Sequence, residues 1–300
     1  MLSPVPSSAP PVIELSRVTR RFGAKTALNE VSLVVPRGGV FGLIGGNGAG
    51  KTTLIKHVLG LLKAESGEVR VFGLDPVQNP VGVLGRIGYL SEDRDLPNWM
   101  RVGQFMRYTQ AFFPHWDEAY AEELRQAFDL DAKAKIKTLS RGQRARMGLL
   151  AALAHRPELL ILDEPSSGLD PVVRRDILGA IIRTIADEGR TVLFSSHLLD
   201  EVERVADYVA ILHQGRMMLT AAMDEIKDRH RRVTLRFREP VEHPPALVGA
   251  LSFEGHGAEW TYVCAGDSRQ LQQAAQALGA TVLGDDALTL DEIFVSRVHR

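Results

Sequence analysis

The stretch Val40-Phe41-Gly42-Leu43-Ile44-Gly45-Gly46-Asn47-Gly48-Ala49-Gly50-Lys51-Thr52-Thr53 decides the fold. The apolar run Val40 to Ile44 reads as a buried strand. It leads straight into Gly45 to Thr52, which satisfies the spacing G-x-x-x-x-G-K-[ST], and a helical run from Thr53 to Leu62 follows. Glycines let the backbone curl so that successive N–H groups converge on phosphate oxygens, and the helix adds the positive end of its dipole. Lys51 is then placed to reach the β and γ phosphates, and the Thr52 hydroxyl to ligate magnesium. With a strand before it and a helix after it, the segment reads as the phosphate loop of a protein that binds a nucleoside triphosphate with Mg2+, with Gly45, Gly46, Asn47, Gly48, Ala49, Gly50, Lys51, Thr52 and Thr53 as candidate contacts.

Outward from this loop, the apolar runs Leu159 to Leu162, Val192 to Phe194 and Val209 to Leu212 read as further strands covered on both faces. Helical patterns alternate with them, so the expected fold is α/β with a largely parallel sheet. Shorter β-rich runs, Val12 to Leu15, Val31 to Val35 and Val69 to Phe72, stand apart from that alternation. The run Glu158 to Leu162 ends in Asp163-Glu164, and an acidic pair at the carboxyl end of a buried strand lies where α/β proteins place ligands. Asp163 is expected to hold Mg2+, and Glu164 to polarise the water that attacks the γ-phosphate.

Between Leu96 and about Thr138 the strand signal vanishes and Glu118 to Phe128 shows helical spacing, with Asp117 as its N-cap, which reads as a helical insertion. The charge-rich stretch Asp224 to Arg232 reads as a solvated linker. Beyond it, Val233 to Phe237 and Trp260 to Cys264 read as strands, and Arg269 to Leu278 and Leu290 to Val298 as helices. The expected division is therefore a tail (1–11), an α/β unit (12–223), a linker (224–232) and a small α+β appendage (233–300).

Composition bounds the function. The chain has 300 residues, 45% hydrophobic and 24% charged, as in ordinary globular proteins, which excludes wholesale disorder. A formal charge of −1 gives no global field toward nucleic acid or anionic membrane. The single cysteine, Cys264, permits neither an internal disulfide nor a multi-thiolate metal site, which fits a reducing compartment. No apolar run is long enough to span a bilayer. The proline-rich start MLSPVPSSAPP lacks the basic and apolar regions of a signal peptide and reads as a flexible tail.

Four further segments resemble the ATP-binding cassette (ABC) ATPases. Leu139-Ser140-Arg141-Gly142-Gln143 is similar to the family's signature sequence. Ser166-Ser167-Gly168-Leu169-Asp170 is similar to its D-loop, and Ser195-Ser196-His197 to its switch histidine. Arg21-Phe22-Gly23 stands where the family carries the aromatic that stacks on adenine. The resemblance covers about residues 12–220 and implies a P-loop NTPase cassette with a helical subdomain (about 96–140) and an antiparallel β-subdomain. It implies ATP as the nucleotide, Glu164, His197 and Lys51 as catalytic, and Phe22 as an adenine contact. Ser140, Arg141, Gly142, Gln143 and Asp170 would contact the ATP of a second cassette, paired head to tail. Because the chain carries one such set and no repeat, that partner is expected on a second chain, identical or paralogous.

The simpler readings of three residues stay open at this level: His197 as a core or capping histidine, Phe22 as core, and Asp170 as the cap of a helix beginning at Pro171. The sequence also departs from the family at three places. Arg141 replaces a glycine of the signature, Gly46 stands where proline is frequent, and Glu92 replaces a glutamine that touches Mg2+ and the attacking water. Glu92 is kept as a candidate Mg2+ ligand beside Thr52 and Asp163. Within the family, a lone cassette resembles the ATPase subunit of a transporter of exporter type. It would sit at the cytoplasmic face of the cell membrane on a separate transmembrane permease subunit, gripped by Leu96, Trp99, Met100, Phe105 and Phe112 of the insertion. The alternatives are a soluble ABC-type ATPase acting on ribosomes or nucleic acid, for which no basic patch is visible, and a nucleotide-binding regulator without turnover.

Overall fold

The computed structural model describes residues 10–93, 95–186 and 189–298. Most of the tail expected at 1–11 lies outside the described residues. The chain forms two compact units divided between Thr220 and Ala221.

The first unit is built on two sheets. Strands β1 (Ile13–Phe22), β2 (Lys25–Val35) and β4 (Ser66–Val71) form an antiparallel sheet in the order β2-β1-β4. The second sheet contains β3 (Gly39–Ile44), β5 (Ile87–Leu90), β6 (Leu159–Asp163), β7 (Thr191–Ser196), β8 (Tyr208–His213) and β9 (Arg216–Ala222), in the order β5-β6-β7-β3-β8-β9. From β5 through β8 every pairing is parallel. β6 and β7 are buried along their whole lengths, which is why they read as unbroken apolar runs. Helix α1 (Lys51–Val58) buries Leu54, Ile55 and Val58 in the same apolar core as Leu43, Ile161, Leu193 and Leu15, so the core joins the two sheets through the helix that begins at the phosphate loop.

A short helix, α2 (Pro80–Leu84), precedes β5. The insertion expected between 96 and 140 is helical: α3 (Val102–Gln110), α4 (Glu118–Ala127) and one 3-10 turn at Ile136–Thr138. Asp117 caps α4 by accepting the Tyr120 N–H at 2.9 Å. Helices α5 (Arg141–Leu153), α6 (Pro171–Ala186) and α7 (Leu199–Val205) complete the unit.

The second unit contains α8 (Met223–Asp228), β10 (His230–Arg236), β11 (Ala250–His256), β12 (Glu259–Ala265), α9 (Ser268–Ala277), β13 (Thr281–Ala287) and α10 (Leu290–Val298). Its antiparallel sheet runs β11-β12-β10-β13, and Val233, Leu235, Trp260, Tyr262 and Cys264 pack with Leu271 and Ala275 of α9. The linker expected at 224–232 is corrected here: those residues belong to α8 and to the start of β10, an interior strand of the sheet. Arg231 Nε lies 2.7 Å from Asp285 Oδ1, Arg232 is bound to Glu292, and Met223 and Ile226 are buried, while Asp224, Asp228 and Arg229 stay exposed.

Candidate functional site

Three neighbouring strands deliver the site to one edge of the parallel sheet. β3 ends at Ile44 before the loop 45–50, β6 ends at Asp163, and β7 ends at Ser196; Ile44 pairs with Ser196 and Asp163 with Ser195. Segments more than a hundred residues apart in sequence therefore meet at the carboxyl ends of adjacent strands.

The loop closes tightly. Gly50 has φ +112°, and a Cβ there would stand 2.5 Å from the Ala27 carbonyl oxygen, so only glycine fits. Gly46 has open space around it, so the loop does not depend on which small residue stands there. Lys51, buried at the start of α1, donates from Nζ to the Gly45 carbonyl at 2.5 Å and lies 2.9 Å from Glu164 Oε1, an ion pair without a directed hydrogen bond.

Glu164 is the hub. Its Oε2 lies 2.7 Å from His197 Nδ1, and its backbone N–H donates to Ser195 Oγ at 3.0 Å. Ser195 Oγ donates in turn to Asp163 Oδ1 at 2.6 Å. The Glu164 backbone sits at φ +47°, in the left-handed region, which costs a glutamate on the order of 1–3 kcal/mol and persists only where surrounding contacts over-determine it. Lys51, His197 and Ser195 are those contacts.

A cleft of about 390 Å³ opens over this edge, walled by residues 46–53 with Glu164, Glu92, Lys25, Ala27 and Phe22. Phe22 is 46% exposed, which removes the reading of it as core. The His197 side chain is 40% exposed, so it is not a buried core histidine either. Ser140, Arg141, Gly142, Gln143 and Asp170 do not line the cleft among the described residues. Ser140 and Gln143 cap α5 reciprocally: the Gln143 N–H donates to Ser140 Oγ, and the Ser140 N–H to Gln143 Oε1. Asp170 caps α6 by accepting from the Val172 and Val173 N–H groups, which holds its carboxyl below the usual range.

Two participants escaped the sequence reading. Lys25 holds its ammonium over the phosphate loop, 3.7 Å from where a Cβ of Gly48 would be, yet a single exposed lysine at the start of a strand carries no signal of its own. Ser195 bridges both members of the acidic pair, a role set by strand register and invisible in linear order.

The donor set fits a hard divalent cation. Asp163 Oδ2 is buried and has no hydrogen-bond partner, while Oδ1 is held by Ser195. Among the described residues no group of three or more His, Cys, Asp or Glu side chains could cage a metal. A lone carboxylate oxygen such as Asp163 Oδ2 suits an ion that is shared with substrate phosphates, as Mg2+ commonly is.

A phosphate loop on a parallel sheet, an acidic strand end and a histidine from the next strand together define a P-loop nucleotide-hydrolysing cassette. The family model described as ABC transporter matches residues 28–167. The chain is 36% identical to the daunorubicin/doxorubicin resistance ATP-binding protein DrrA of Streptomyces peucetius, over 75% of this chain and 70% of that one. It is 25% identical to the ABC transporter ATP-binding protein YtrB of Bacillus subtilis, over 95% of this chain and 98% of the other. A solved structure of the ATP-binding subunit of an ABC transporter superposes with a TM-score of 0.67 at 29% identity, covering 72% of this chain and 92% of its own. The chain belongs to the ABC transporter ATP-binding proteins, and it is an ATP hydrolase of that family.

Proposed function

We propose that Glu164 is the general base for ATP hydrolysis, and the observation that carries this is its simultaneous contact with Lys51 and His197 beneath the cleft. The loop N–H groups and Lys51 hold the triphosphate, and Phe22 stacks on the adenine. With the γ-phosphate competing for Lys51, Glu164 is released to take a proton from the attacking water as the bond between the γ-phosphorus and the β–γ bridging oxygen breaks, giving ADP and phosphate. His197 keeps the carboxylate aimed at that water. Mg2+, held by Thr52 and Asp163 with Glu92 facing the same cleft, supplies charge neutralisation on the phosphates when bound. Glu164→Gln is expected to lower turnover by about 100-fold or more while ATP still binds; turnover at the unmodified rate rejects the assignment.

In this reading two cassettes close head to tail around two ATP molecules, with Ser140, Arg141, Gly142, Gln143 and Asp170 facing the partner's nucleotide. The α5 N-terminus offers the second anion cradle such a pairing requires. The chain works at the cytoplasmic face of the membrane and drives a separate permease. No described helix is long and apolar enough to cross a bilayer. Of the residues expected to grip that permease, Trp99 is 76% and Phe112 63% exposed, whereas Met100 is buried in the core. Two large apolar side chains left in solvent on the insertion support a docking role for it. Export is the direction favoured by similarity to a drug-resistance ATPase. Association of the chain with membranes containing its permease is expected to fall in Trp99→Asp with ATP binding intact; unchanged association removes the docking role.

A further inference from the structure

We propose that Glu201 is a positioning residue for Glu164, acting through the loop that follows it. Glu201 lies on α7, four residues after His197, and is only 4% exposed. Its Oε2 accepts a hydrogen bond from Ser166 Oγ, itself buried, and its Oε1 lies 3.9 Å from Arg174 Nη1. Arg174 Nε in turn donates to the Leu169 carbonyl at 2.9 Å. One buried carboxylate thus ties down two points of the loop 166–170, Ser166 directly and Leu169 through Arg174.

The consequence is geometric. Segment 164–166 and segment 197–201 are cross-linked twice, first by Glu164 with His197 and then by Ser166 with Glu201, in the same order along both segments. The strained backbone of Glu164 is therefore held by its contacts with Lys51, Ser195 and His197 and, two residues on, by this strut. Burial pushes the Glu201 carboxyl up, and Ser166 and Arg174 pull it back toward the charged form. A buried ionic group of this kind is weak support for stability, since an apolar side chain of similar size often serves as well. Its arrangement around the residue that must be aimed points instead to placement of the base.

This inference rests on the reading of Glu164 as base, and the test separates the two. Steady-state ATPase measurements with MgATP on the full chain compare Ser166→Ala, Ser166→Thr, Glu201→Ala, Glu201→Gln and the Ser166→Ala/Glu201→Ala pair. Misplacing a base by a fraction of an ångström predicts a fall in kcat of about tenfold for Ser166→Ala, with KM within about twofold. Ser166→Thr and Glu201→Gln, which keep a hydroxyl donor and a carbonyl acceptor, restore most of the rate. The double variant is no slower than the slower single one, because both cut the same bond. Should Glu201→Ala fail to fold in a thermal melt, Ser166→Ala, which removes one oxygen, decides alone. An unchanged kcat in Ser166→Ala, or losses that multiply, overturns the proposal. If Glu164→Gln is inactive while Ser166→Ala is normal, the base stands and the strut falls; if Glu164→Gln turns over normally, both fall.

Discussion

The Arg141 guanidinium lies against the α-carbon of Gly168. A Cβ built on Gly168 would stand 2.5–2.6 Å from Arg141 Cζ and both its terminal nitrogens, so the planar group packs flat where any other residue would carry its side chain. The residue that departs from the family's signature sequence therefore rests on this chain's own D-loop segment. Arg141 itself is exposed at the start of α5.

Arg141→Gly removes this brace and is expected to give reduced but measurable ATP turnover. Gly168→Ala tests the same contact from the other side. The guanidinium is the far end of a flexible side chain and can swing away, so the new methyl displaces it at small steric cost while adding strain at φ +64° of about 1 kcal/mol. Both variants should lower kcat to a similar degree in an ATPase assay. Full activity in both makes the guanidinium a bystander.

Lys25 places a second cation over the phosphate loop. Lys25→Met is expected to raise KM for ATP by a few-fold and to flatten its dependence on ionic strength, because an exposed charge acts on phosphate through solvent that salt screens. Its kcat should be nearly unchanged, since Lys25 touches neither Glu164 nor His197. Steady-state ATPase kinetics at low and high salt check both the KM and the kcat.

Ser195→Ala leaves Asp163 Oδ1 and the Glu164 N–H without their shared partner in a buried setting. Unsatisfied buried groups of this kind cost about 1–3 kcal/mol each. The variant should melt several degrees lower and need more Mg2+ for half-maximal turnover. A normal Mg2+ requirement would detach Asp163 from the metal.

His155 gives the fold an acid-sensitive joint. Its ring is buried, stacks on Phe113 at 3.8 Å between centroids and bonds through Nε2 to the Ile87 carbonyl. Burial pushes its pKa down from 6.5 to about 4. The unfolded chain therefore binds this proton at higher pH than the folded one, so the contribution is fully present above 6.5 and is lost as pH falls toward 4. The melting temperature of the wild type should drop through that window more steeply than that of His155→Phe. Parallel slopes would show that the ring does not titrate there.

Elements buried on both faces were legible in sequence because apolar runs carry their own signal: β3, β6, β7 and β8 fall where Val40, Leu159, Val192 and Val209 open such runs. The strand β5 was not, since Gly88 interrupts four residues too few to show a period. In the second unit β11 and β13 are edge strands whose exposed, mixed side chains give no clean alternation. The charged segment 224–232 misled for a different reason. Arg231 and Arg232 meet their partners Asp285 and Glu292 more than fifty residues later, and long-range pairing has no local signature. The phosphate loop, Glu164 and His197 were visible as motifs. Ser195 and Lys25 depend on which strand lies beside which, and that is settled only when the sheet forms.

The pairing of Asp163 with Ser195 across β6 and β7 also limits how this site can drift in evolution. Side chains alternate faces along a strand, so inserting one residue into 159–163 or 191–196 would send the acidic end and its serine partner to opposite sides of the sheet. A single-residue insertion or deletion in either strand would therefore break the Asp163–Ser195 pair, whereas the loops beyond the strand ends can change length without touching it.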